Sequence, residues 1–244
     1  LKKYIAPLLL CATFCATAEP NLTAQAWLVA DDNGLILEGS HTTDVRSIAS
    51  ITKLMTSIVV LDSGQSLTET IPKKLYNRTF TRQELLNLAI VKSDNNAARM
   101  LCDYYPGGLF RCIQSMNNKA NELGMYNTHF TDPTGLLTTN VSTAEDLIKL
   151  VMAAKNYSTI TNASNTPTIQ WQINKKTRAI FHNTNTLVGN GIDFIVSKTG
   201  WITASGGCIV MMLRGDQGVR TVVLLGSKNT NTRIPEAYMV FQLH

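Results

Sequence analysis

Ser50-Ile-Thr-Lys53 opens an apolar run whose hydrophobic positions, 48, 51, 54, 55, 58 and 59, recur at helical spacing. A hydroxyl and an amine three residues apart share one helix face, about 5–6 Å apart at Cβ, so the two side chains can meet. Serine is a poor nucleophile until a neighbouring base takes its proton. A lysine can be that base once burial and nearby cations lower its pKa toward about 7–8. The start of a helix adds partial positive charge where an oxyanion would form. Two further triplets offer complementary groups. Ser93-Asp-Asn95, 43 residues after Ser50, falls in a turn behind a helix and presents a second hydroxyl and an amide. Lys198-Thr-Gly200 ends the apolar strand Phe194-Ile-Val-Ser-Lys198, with a cation, a hydroxyl and a glycine that lets another chain approach closely. Taken singly, each triplet is an ordinary helix face, turn or strand end.

The elements that must position them read as strands, then a helical middle, then strands and a last helix. Gln25–Ala30 and Leu35–Glu38 form a hairpin around Asp31-Asp-Asn-Gly34, closed by an Asn-Gly turn. The helix carrying Ser50 runs to Leu61, and Gly64 stops it. Thr81-Arg-Gln-Glu84 is a capping box opening a helix to about Lys92, and another helix covers Ala97–Tyr104. Asp132-Pro-Thr-Gly135 is a turn, and Ser142-Thr-Ala-Glu145 is a second capping box for a helix to about Ala154. Residues 162–168 read as a polar loop. Strands follow at 192–198, 207–214 and 220–226, and a short helix spans 234–242. A sheet built from both chain ends, with helices inserted between, accounts for this order.

In this order and context, Ser-x-x-Lys, Ser-Asp-Asn and Lys-Thr-Gly are a signature of penicillin-binding proteins and class A β-lactamases. Phe130-Thr-Asp-Pro-Thr-Gly-Leu136, Ser142-Thr-Ala-Glu-Asp-Leu147 and Phe181-His-Asn-Thr-Asn185 extend the likeness. From about Gln25 onward the chain resembles the low-molecular-weight D-alanyl-D-alanine peptidases, and within them the endopeptidase branch. The resemblance implies an α+β, β-lactamase/transpeptidase-like fold. Its core is an antiparallel five-stranded sheet flanked by helices, with an inserted all-helical subdomain over roughly residues 65–160. It also implies roles. Ser50 is acylated, Lys53 is the general base and Ser93 relays the proton to the leaving amine. Asn95 holds the substrate amide, Lys198 and Thr199 bind a carboxylate, and the backbone N–H groups of Ser50 and Trp201 form the oxyanion hole. Asp94 and Gly200 are structural in this scheme. The expected partners are peptidoglycan peptide stems, with β-lactams as covalent inhibitors, and no cofactor is implied.

Three alternatives stay on the page. A DD-carboxypeptidase shares every motif. A class A β-lactamase would carry a Glu-x-x-Leu-Asn loop before the Lys-Thr-Gly strand, and this chain has none. A non-catalytic peptidoglycan binder would need neither Ser50 nor Lys53. The short spacing from Ser50 to Ser93 fits the endopeptidase branch. So does the end of the chain soon after the last strand, where many carboxypeptidases continue into a β-rich domain and an amphipathic anchor.

Lys2 and Lys3, an apolar run over residues 4–16 and Ala16-Thr-Ala18 have the layout of a secretory signal, too short to span a bilayer. The mature peptidase domain is then expected over 19–244, in the periplasm. The full chain carries 22 basic and 17 acidic residues in 244, and losing Lys2 and Lys3 leaves a mild excess with no nucleic-acid footprint. Cys102 and Cys112 bracket a turn-rich segment that can bring them together in an oxidising compartment, while Cys208 reads as a buried thiol. The four histidines, at 41, 129, 182 and 244, are scattered, and no metal site is expected.

Overall fold

The computed structural model describes residues 21–174 and 176–244, and the expected signal segment, residues 1–18, lies outside them. The chain runs through β1 (Ala26–Ala30), β2 (Ile36–Ser40) and β3 (Arg46–Ser47), a 3-10 turn over Ala49–Ile51 and helix α1 (Thr52–Asp62). Strands β4 (Thr70–Leu75) and β5 (Arg78–Thr81) lead to α2 (Arg82–Asn87), a wider π turn over Leu88–Lys92, α3 (Asn95–Asp103) and α4 (Gly108–Glu122). Then come β6 (Val141–Ser142), α5 (Ala144–Ala154), α6 (Ser158–Ser164), β7 (Thr168–Asn174) and β8 (Thr177–His182). The chain closes with β9 (Phe194–Ile202), β10 (Gly206–Gly215), β11 (Gly218–Ser227) and α7 (Arg233–Leu243). Among the described residues, no helix is long and apolar enough to cross a membrane.

One five-stranded antiparallel sheet organises the molecule, as expected, and its strands run in the order β2-β1-β11-β10-β9. Alternation along its strands sends side chains to two faces, and both faces are buried. Trp27, Val29, Ile209, Met211, Val222 and Leu224 pack with Ile234, Ala237 and Val240 of α7. On the other face, Leu28, Val210, Met212, Val223 and Leu225 join Ile58 of α1 and Leu147 and Val151 of α5. Burial on both sides explains why these strands read as continuous apolar runs. β9 is the terminal strand, so one of its edges has no neighbour in the sheet.

The Thr81 capping box forms in full: Thr81 Oγ1 accepts from the Glu84 N–H while Glu84 accepts from the Thr81 N–H. The second box does not. Thr143, not Ser142, caps α5 by accepting from the Asp146 N–H, because the Ser142 hydroxyl is taken up by Thr128 at 2.7 Å. The first hairpin turn is also wider than an Asn-Gly pair: Asp31 Oδ1 accepts from the Asn33 and Leu35 N–H groups, organising a loop over residues 31–35. The stretch 162–168, expected as loop, completes α6 and then enters β7.

Cys102 in α3 and Cys112 in α4 are bonded across a tight connection, with Cα atoms 5.3 Å apart, and Cys208 is a free, buried thiol. Closing so short a loop stabilises the fold by about 2–3 kcal/mol through chain entropy. In protein lacking residues 1–18, denatured without reductant, alkylation is expected to modify one thiol, Cys208, and three after reduction. Three modified thiols before reduction would refute the bridge.

Candidate active site

Three segments converge at the free edge of β9. The first is the 3-10 turn feeding α1. Ala49 adopts a left-handed conformation (φ 45°), a cost of about 1–3 kcal/mol for a residue with a Cβ, and so turns Ser50 out at the head of the helix. Lys53 follows one turn later and is fully buried. Its Nζ lies 2.7 Å from Ser50 Oγ, 2.7 Å from Asn95 Oδ1 and 2.6 Å from the Thr134 carbonyl. Burial pushes the amine down from its ordinary value to about 7, against the opposing pull of the Asp132 and Asp94 carboxylates. An ammonium donates to all three acceptors. A neutral amine has only two N–H groups. With those spent on Asn95 and Thr134, its lone pair faces Ser50, whose hydroxyl then donates to it.

The second segment is Ser93-Asp-Asn95. The π turn ends with Ser93 left-handed (φ 59°), and Asp94 then caps α3 by accepting from the Ala97 N–H at 2.8 Å. The other oxygen of Asp94 accepts from the Tyr76 hydroxyl at the tip of the β4–β5 hairpin. Tyr76 in turn packs against Phe181 of β8, ring centroids 5.1 Å apart. Two hairpins thus brace the turn from outside. Asp94 is structural, as expected.

The third segment is β9. Lys198, almost wholly buried, donates to Ser93 Oγ at 2.8 Å and to the Thr199 carbonyl. Burial, with Lys53 and Arg233 nearby, pushes its pKa well below the usual lysine range. Thr199 donates to Thr184 Oγ1 at 2.7 Å. A side chain at Gly200 would place its Cβ 2.9 Å from the Ser50 nitrogen, so the strand can pass the nucleophile only as glycine. Ser50, Ser93, Asn95, Thr199 and the partly exposed Trp201 line one pocket of about 230 Å³. Lys53 and Lys198 sit beneath it, joined to its hydroxyls. All seven residues singled out in the sequence therefore meet.

A family model described as D-alanyl-D-alanine carboxypeptidase, peptidase family S11, matches residues 13–229. The chain belongs to this family. It is 38% identical over 225 residues to a D-alanyl-D-alanine endopeptidase of Escherichia coli (strain K12), covering 84% of this chain and 73% of that protein. It is 35% identical over 237 residues to a D-alanyl-D-alanine endopeptidase of Pseudomonas aeruginosa, covering 90% and 76%. Penicillin-binding protein D2 of Listeria monocytogenes, solved with ampicillin bound, superposes with a TM-score of 0.82 at 26% identity, covering 93% of this chain and 99% of that one.

The S11 site in this chain also uses residues that the sequence reading passes over. Asp132 Oδ1 accepts from the N–H groups of Thr134 and Gly135 and from Thr134 Oγ1, shaping the loop that aims the Thr134 carbonyl at Lys53. In the sequence, Asp132-Pro-Thr-Gly135 is a turn inside a stretch that carries the family likeness, with no role at the site attached to it. A Cβ on Gly135, itself left-handed at φ 80°, would fall 1.9 Å from the Ala49 carbonyl oxygen. Together with Gly200, this pins the Ser50 backbone from both sides. Arg233, at the start of α7, reaches the same pocket and donates from Nη1 to the Gly200 carbonyl at 2.6 Å. Nothing local to Thr232-Arg-Ile-Pro235 marks it.

Proposed function

We propose that this S11 protein is a serine DD-endopeptidase that hydrolyses D-alanyl cross-bridges of peptidoglycan through an acyl-enzyme on Ser50. The observation that carries the chemistry is the Lys53 amine, 2.7 Å from Ser50 Oγ in surroundings that hold its pKa near 7. Lys53 takes the Ser50 proton as Oγ bonds to the carbonyl carbon of D-alanine. The N–H groups of Ser50 and Trp201 receive the oxyanion. Ser93, with Lys198 donating to its oxygen, relays that proton: it gives its own to the amine as the C–N bond breaks and takes up the one held by Lys53, which is neutral again. Water, deprotonated by Lys53, then releases the acyl group from Ser50. Asn95 holds the substrate amide, and the Arg233 guanidinium, with the donors of Lys198 and Thr199, makes one end of the pocket suited to a carboxylate. β-Lactams would acylate the same serine. Residues 1–18 would direct the mature domain, 19–244, to the periplasm.

The names of the relatives at 38% and 35% identity support cross-bridge cleavage over terminal trimming. Purified cross-linked muropeptide dimers are expected to be split to monomers faster than free pentapeptides lose their terminal D-alanine, with products separated by mass. Ready trimming with dimers left intact would reverse the assignment to carboxypeptidase and leave the acyl-enzyme chemistry standing.

A further inference from the structure

The catalytic pocket does not end at Thr199. Thr184, bonded to Thr199 Oγ1, and Arg233, bonded to the Gly200 carbonyl, also line a second cavity of about 540 Å³. The two cavities are neighbours, with Thr184 and Arg233 in the walls of both. Beyond these two residues the walls of the second are Thr186 and Leu187 on one side, and Thr230, Ile234 and Tyr238 on the other. The lining mixes hydroxyls with apolar surface. The Arg233 guanidinium sits at the end nearest the catalytic pocket.

From these shared walls we infer that the second cavity is the subsite for the acceptor stem of a cross-linked substrate, the half that leaves as an amine. The inference rests on the endopeptidase reading above. A terminal D-alanine leaving group is a methyl, a carboxylate and the scissile nitrogen, and the 230 Å³ pocket with its cationic end has room for it. In a cross-bridge made through a diamino acid whose reacting amine sits beside a carboxylate, the leaving group has the same carboxylate. Its methyl is replaced by a methylene spacer that carries a second peptide. With the carboxylate against Thr199 and Arg233, that spacer has to continue past the shared walls. The apolar walls at Leu187, Ile234 and Tyr238 suit methylenes, and the threonine hydroxyls suit the peptide beyond. One carboxylate grip thus serves both substrates, and the cavity behind it distinguishes them.

Filling the cavity from its exposed rim tests this, because Thr186 and Thr230 are both solvent-exposed and their substitution leaves the core untouched. Thr186→Trp and Thr230→Trp would each be compared with wild type on three substrates: a cross-linked dimer, a free pentapeptide and a fluorescent penicillin. The expected result is a loss of about tenfold or more in kcat/KM on the dimer, with pentapeptide and penicillin rates changed by less than about twofold. If wild type splits dimers and both variants split them equally well, the subsite assignment falls and the endopeptidase reading stands. Equal losses on all three substrates would also overturn it, since the cavity would then serve the catalytic step itself. Wild type that trims pentapeptides but leaves dimers intact removes the endopeptidase reading, and the subsite with it.

Discussion

Ser50→Ala is expected to abolish covalent labelling by a fluorescent penicillin while leaving the fold unchanged. The Ser50 hydroxyl makes few contacts, to Lys53 Nζ at 2.7 Å and the Thr134 carbonyl at 3.5 Å. Removing it opens no cavity in the core and leaves Lys53 with two acceptors, which a neutral amine satisfies completely. Far-UV circular dichroism and the melting temperature should therefore stay close to wild type. Without Oγ, no acyl ester can form. Peptide mapping of labelled wild-type protein should place the adduct on Ser50, and an adduct on Ser93, or undiminished labelling of the variant, would refute the mechanism.

Lys53→Met carries the second large effect. Methionine has similar length and tolerates burial, so the variant separates loss of the base from loss of packing. Acylation should fall by about 10²–10⁴-fold, the range for removing a positioned general base. The same amine sets the pH dependence. With a pKa near 7, Lys53 is mostly neutral and able to accept a proton above that pH, and mostly charged below it. The wild-type acylation rate should rise through pH 7 and level off, with roughly a tenth of the plateau rate remaining one unit below the midpoint. Lys53→Met should lose that step. A rate that keeps climbing to pH 10 would instead mean that the Lys53 amine keeps its ordinary pKa.

Much of this was readable from local sequence because the chemistry lies in short contiguous triplets. Spacing alone puts Ser50 and Lys53 on one helix face, and the apolar runs of β9, β10 and β11 declare themselves strands. The count of five antiparallel strands came from resemblance, not from periodicity. What escaped did so for physical reasons. Helix α4 starts after Gly107 at φ 82° with no side-chain cap, so it carries no start signal. β7 alternates as Thr168-Ile-Gln-Trp-Gln-Ile-Asn174, a period-two pattern overshadowed by the longer apolar strands that follow. Ala49 is left-handed because two glycine-bearing segments close on it, and no local propensity marks an alanine for that. Arg233 arrives only when α7 packs on the sheet. Tertiary closure put it in the cleft.

The pairing of β1 with β11 ties residues 26–30 to residues 221–225. A chain made from its N-terminus offers β1 long before its partner exists, and nearly the whole length must be synthesised before the ladder can form. Closing so distant a contact is entropically costly and slow, and until then β1 and β2 are an isolated apolar hairpin with no stability of its own. Ser50 and Lys53 likewise wait for Lys198 and for the strand that presses on the Ser50 backbone. A partly synthesised chain therefore holds a nucleophile with no cleft around it. The enzyme is silent through its own synthesis, and its first competent moment comes only when the last strands have docked.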